Sequence, residues 1–160
     1  MNLKNQCFMI KQISYDLLKK CLDEIGIRTV PDDDGTLLTL FRADERYGHD
    51  MVIRYIVRGP WLHIVGQVPG GIVPEERRGD MMIALNLLNV KGRVAPGALH
   101  DNSVRFKYSL MVDEEVTEEF VLESGVRTGT DSIRNAFVEL EKLVEDYERN
   151  HKKYTLAVIG

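Results

Sequence analysis

Cysteine is scarce in this chain, and long apolar runs and basic runs are missing altogether. Two cysteines, Cys7 and Cys21, in 160 residues cannot build the disulfide framework of a small secreted domain. Cys21 falls on an apolar helical stripe, so buried thiols in a reducing compartment are the expectation. No stretch approaches the ~18 apolar residues of a membrane-spanning helix. Phe8-Met9-Ile10 is too short for the core of a signal peptide. The sequence therefore predicts a cytoplasmic protein with no membrane association. The absence of a Lys/Arg-rich run, with a net charge of −4, argues against a nucleic-acid partner. There is no internal repeat, no G-x-S-x-G, no Walker loop and no G-x-G-x-x-G. No catalytic motif is present, and neither an enzyme nor a cofactor is expected.

What is present is the composition of an ordinary folded protein, 44% apolar and 29% charged. The length predicts a single domain over residues 1–160 with a sizeable core. Its organising stretch is Val73-Pro74-Glu75-Glu76-Arg77-Arg78 running through Leu85-Asn86-Leu87-Leu88-Asn89 to Gly92. Pro74 suits a first helical position, Glu75 and Glu76 suit the positive end of the dipole, and Gly92 supplies a stop. At 100° per residue Met81, Ala84, Leu85 and Leu88 make one apolar face, and Ile83, Leu87 and Val90 make a second. Only Asn86 and Asn89 interrupt them. The apolar arc spans about 220°, against the ~100° of a helix with one side in water. Burying Ile83, Leu87 and Val90 is worth about 1.5–3 kcal/mol each. Something is expected to cover them: the chain's own apolar tail (Tyr154–Gly160) or N-terminus, or a second copy across a two-fold axis.

Strand-like sequence lies on both sides of this helix. A first helix is predicted from Ile10 or Ile13 to Ile25, ended by Gly26. A short strand at Ile27–Val30 follows, then Thr36–Arg42, Met51–Val57 and Trp61–Val68, the last two joined by the tight Arg58-Gly59-Pro60. Beyond the central helix come Arg93–Leu99, with Pro96 marking an edge or bulge, and Ser103–Val112. In the latter Val104, Phe106, Tyr108, Leu110 and Val112 alternate with Ser103, Arg105, Lys107 and Ser109, one face to the core and one to water. Residues 113–130 read as a connection, acidic at first and then loop-like with Gly125 and Gly129, with Phe120-Val121-Leu122 as a short strand or turn. A last helix is predicted from Thr130 or Asp131, carrying Ile133, Ala136, Phe137, Leu140, Leu143, Val144 and Tyr147 on one stripe.

Other candidate sites are weaker. Asp32-Asp33-Asp34-Gly35 has the acids of a calcium loop, but aligning Gly35 puts Val30 at the first ligand position and Phe41 where the bidentate Glu belongs, so a turn is expected. His49, His63, His100 and His151 share no ligand spacing. Gly70-Gly71 precedes the central helix at an anion-binding location, but Ile72, Val73 and Pro74 intervene and a flexible connector fits better. Two features stand out. One is the second helical face, Ile83, Leu87 and Val90. The other is a basic row on the water side of the sheet, Arg54 and Arg58 on one strand and Arg105 and Lys107 on another. Such a row reads either as ordinary solvated surface or as a face for acidic peptide segments.

The order helix, three strands, helix, two strands, helix resembles the YbjN-like family, whose fold is that of the type III secretion chaperones. The Asp34-Gly35 turn, the helix start at residues 73–78, Leu85–Asn89 running into Gly92, and Val104–Ser109 carry the resemblance, over roughly Ile13 to Tyr154. It implies an α+β domain with an antiparallel sheet of about five strands in α-β-β-β-α-β-β-α order. It implies a dimeric, non-enzymatic protein that binds other proteins, of a kind described as bacterial sensory-transduction regulators. It also implies that Asn89 caps the central helix and that Asn86 and Asn89 tie it to neighbouring backbone. The acidic Asp113–Gly129 link is longer than that family's. The competing function is a small-ligand sensor with a pocket between helix and sheet, walled by the adaptable Met81 and Met82.

Overall fold

The computed structural model describes residues 9–159, with the side chains of 72, 147, 148, 150 and those beyond left aside. Eight strands and four helical elements alternate: β1 (Met9–Ile10), α1 (Tyr15–Glu24), β2 (Val30–Pro31), β3 (Leu37–Phe41), β4 (Met51–Arg58), β5 (Trp61–Ile72), α2 (Arg78–Lys91), β6 (Gly97–His100), β7 (Ser103–Met111), β8 (Val116–Thr117), α3 (Glu118–Phe120) and α4 (Thr128–Ile159). A 3-10 turn, Glu75–Arg77, leads into α2, and a π-helical segment, Val121–Arg127, joins α3 to α4. The sheet has six strands in the order β2-β3-β4-β5-β7-β6, all neighbours antiparallel. The antiparallel sheet is as expected, with one strand more than the expected count of about five. The extra member is the two-residue β2, and β1 and β8 form a separate ribbon through Met9↔Thr117 and Ile10↔Val116.

Local chemistry explains most boundaries. Ser14 caps α1, its Oγ accepting from the Leu17 amide at 3.2 Å. The first helix thus begins at Tyr15, and Ile10, placed at its start by periodicity, belongs to β1 instead. The short strand expected at Ile27–Val30 is displaced to Val30–Pro31, because Asp32 fixes the following turn: its Oδ1 accepts from the Asp34 and Thr36 amides at 2.9 and 3.1 Å. The β6–β7 hairpin turns on Asp101 and Asn102, both at positive φ (50° and 63°), as a two-residue turn with the right twist requires. Strand β5 continues four residues past Val68, with an irregularity between Gln67 and Ile72 that takes in Gly70-Gly71. That pair is therefore part of a bulged strand.

The largest correction is at the C-terminal side. The predicted loop over 113–130 becomes β8 and then continuous helix from Glu118, capped by Thr117 Oγ1, which accepts from the Phe120 amide at 3.0 Å. Gly125 and Gly129, read as loop signals, lie inside it because the helix crosses the sheet very closely there. A Cβ on Gly125 would stand 3.2 Å from both Leu62 and Leu110, and one on Gly129 2.6 Å from Ile64 and Tyr108. One turn later Ile133 meets Gly66 on β5. Four helical residues rise ~6 Å and two strand residues ~6.6 Å, so 125, 129 and 133 keep step with 62, 64 and 66, small against large each time. In the π-helical segment the longer i→i+5 repeat keeps Val121 and Val126 both fully buried.

All helices lie on one face of the sheet. The core takes Ile53 and Tyr55 from β4, Leu62 and Ile64 from β5, Phe106 from β7, Leu18 and Leu22 from α1, and Ile133, Ala136 and Phe137 from α4. Burial holds the Cys21 thiol up at about 11, so it is protonated at neutral pH. Among the described residues, no helix packs on the opposite face of the sheet.

Candidate functional site: two uncovered surfaces

The first surface is the outer side of α2. Ala84, Leu85 and Leu88 are buried against α4 and β6, while Ile83, Leu87 and Val90 on the far side are 45%, 48% and 78% exposed, with Met82 at 56% beside them. The described residues thus cover one of the two apolar faces, and the N-terminal residues 1–8, one candidate cover, lie outside them. The apolar tail Tyr154–Gly160, a second candidate cover, lies outside the residues whose side chains are described. Met82 belongs to this row, which the two-face reading of the sequence missed. Gly92 in the left-handed conformation closes the helix. Asn89 lies at the edge strand: its Nδ2 donates to the Gly97 carbonyl and its Oδ1 accepts from the Gly97 amide, both at 2.9 Å. Those bonds satisfy the start of β6 and fix α2 to the sheet edge. Asn86, exposed, makes no such bond among the described residues.

The second surface is the helix-free face of the sheet, onto which the register brings Arg54, Arg58, Arg105 and Lys107 together. Arg54 stands opposite Val65, which stands opposite Lys107; Val52, Gln67 and Arg105 form the next row; Arg58, Trp61 and Met111 form a third. Between Arg54 and Arg105, over Ile56, Val65 and Gln67, is a depression of about 190 Å³. Arg54 Nη1 reaches the Asp32 carboxylate at 3.9 Å. Arg105 Nε is buried and, among the described residues, has no hydrogen-bond partner. Trp61 stacks on His63, ring centroids 5.7 Å apart, and His63 Nδ1 is hydrogen-bonded to Ser109 Oγ at 2.7 Å. Burial, then the nearby Lys107 and Arg58 charges, hold His63 below its usual 6.5. Tracking charges alone finds the four cations but not Trp61 and Met111; strand parity, which aligns both with Arg58, was the available signal.

A third feature lies between α2 and the sheet. A cavity of about 350 Å³ is walled by Val68, Val73, Met81, Val104, Phe137 and Leu140, with the hydrogen-bonded His49–Glu141 pair at its mouth. Of the two methionines expected to line such a pocket, only Met81 does, since Met82 points outward. His100 pairs with Asp101 at 3.2 Å, and the side chain of His151 lies outside the described set. Among the described residues no group of three or more His, Cys, Asp or Glu could hold a metal ion. No helix among them is long and apolar enough to cross a membrane.

No protein-family model and no curated protein matches the chain. The crystal structure of YbjN from E. coli, a proposed transcription regulator, is similar with a TM-score of 0.62 at 14% identity, over 81% of this chain and 92% of that one. The chain therefore has a YbjN-like α+β fold.

Proposed function

We propose that the chain is a non-enzymatic protein-interaction module, chaperone-like or regulatory, that works as a homodimer joined through the outer side of α2. The observation that carries this reading is the exposed row Ile83, Leu87 and Val90. From Met81 to Val90 the helix has no charged residue. Across a two-fold axis each residue near the axis meets its own counterpart, so an uncharged apolar row is self-complementary where a charged one would repel. Antiparallel pairing of two such helices also sets Asp80 of each copy against Lys91 of the other. The YbjN-like fold supports the regulatory side of this reading, since that protein is described as a transcription regulator. Sedimentation of the wild type is expected to give twice the chain mass, and Leu87→Asp to give the monomer with unchanged circular dichroism, since Leu87 adds little to its own core. A monomeric wild type removes the proposal.

The cavity beside Met81 supports a second reading, a sensor for a small apolar molecule carrying one hydrogen-bonding group toward His49 and Glu141. Its size and apolar walls are those of ordinary ligand sites. A ligand at 100 times its dissociation constant adds about 2.7 kcal/mol, so a thermal-shift screen of small metabolites is expected to show a clear rise in melting temperature. A flat screen counts against it.

A further inference from the structure

We infer that the helix-free face of the sheet docks an extended acidic segment of another protein, with a carboxylate seated between Arg54 and Arg105. Charge is the first argument. Strands β3 to β7 contain no Asp or Glu, and the exposed side of β4 and β7 places four cations within a few rows of one another. One carboxylate, Asp32 at the β2–β3 turn, faces them at the rim. In a chain of net charge −4 this is a segregated positive field, which draws an acidic partner and sets its orientation.

The second argument is a buried donor without an acceptor. Leaving such a group unpaired is unfavourable, and a carboxylate in the depression that Arg105 lines gives its guanidinium an acceptor to turn toward. A charge-assisted pair with a guanidinium is stronger than a neutral hydrogen bond. The third is the apolar frame: Leu40, Trp61 and Met111 are exposed around the cations. Aromatic and arginine side chains together are the common composition of protein-binding hot spots. A single-stranded nucleic acid is the less favoured occupant. Such strands use a succession of stacking platforms, and here the one ring pair is Trp61 on His63, with aliphatic side chains elsewhere.

Trp61 is the chain's single tryptophan, so its emission reports on this face directly. The probes are a fluorescein-labelled peptide of alternating leucine and glutamate, its lysine-for-glutamate counterpart, and labelled oligo-dT, each titrated with the full chain at low and physiological salt. The acidic peptide is expected to bind, to shift Trp61 emission, and to weaken as salt screens the field. Arg54→Ala with Arg105→Ala is expected to weaken it about tenfold or more without lowering the melting temperature. If that pair fails to fold, Arg58→Ala with Lys107→Ala gives the same test. Leu87→Asp is expected to leave peptide binding intact, which separates this face from the α2 surface. No binding by the wild type at low salt, equal binding by the folded double variants, or tighter binding of oligo-dT than of the acidic peptide would overturn the inference.

Discussion

Phe106→Ala is expected to destabilise the chain by about 3–5 kcal/mol and to weaken both uncovered surfaces at once. The Phe106 ring is fully buried and meets Phe137 of α4 edge-on, centroids 4.8 Å apart at 83°. Directly across the register lies Gly97 of the edge strand β6. A Cβ there would stand 2.5 Å from the Phe106 ring and 3.0 Å from Leu85 of α2. The ring therefore fills the corner where β6, α2 and α4 meet, and the glycine beside it has no side chain to collapse into a vacated space. A cavity that cannot close sets the cost at the upper part of the range. Domains of this size have a net stability of about 5–15 kcal/mol, so the loss is a large fraction of the whole. Arg105 and Lys107 flank Phe106 on β7 and point the other way, and Leu85 sits beneath the exposed row of α2. Urea denaturation checks the energy. A loss under about 1 kcal/mol, the range of tolerated hydrophobic swaps, would mean that the corner repacks and that Phe106 does not anchor it.

Two elements were legible because their pattern is local. The alternation of Val104, Phe106 and Tyr108 with Arg105 and Lys107 assigns both faces of β7 without any knowledge of its neighbours, and the structure keeps that assignment. The two apolar faces of α2 follow from angles alone. What angles cannot say is which face the chain itself covers: that depends on where α4, distant in sequence, packs against α2. The ribbon of Met9–Ile10 with Val116–Thr117 was invisible for a related reason, since two-residue strands carry no period and their pairing spans most of the sequence. Of the basic face, the residues were readable but not the pairing of Arg54 with Asp32, nor the unpartnered Arg105 Nε, because both depend on side-chain positions across strands.

The clearest misreading was of glycine, and it yields the second large effect. Gly129→Leu is expected to cost about 3 kcal/mol or more, at the upper end of overpacking. A Cβ at Gly129 would lie 2.6 Å from both Ile64 Cδ1 and Tyr108 Cδ1. Ile64 Cδ1 is the end of a flexible side chain, but the Tyr108 ring cannot swing aside freely, because its hydroxyl donates to the Ser124 carbonyl on the π-helical segment above it. The helix has to lift, and lifting breaks the step it keeps with β5 at Gly125 and Ile133. Gly79 in the first turn of α2 is the control, since a Cβ there meets nothing within 4 Å. Gly79→Ala is expected to stabilise by about 0.5 kcal/mol, because alanine gives up less backbone freedom than glycine on forming a helix. If thermal denaturation moves both variants the same way, the two glycines are merely helical residues of low propensity. Opposite signs mean that Gly129 is there for the sheet, and that a residue type read as a helix breaker is what lets this helix reach the strands carrying Arg58, Arg105 and Lys107.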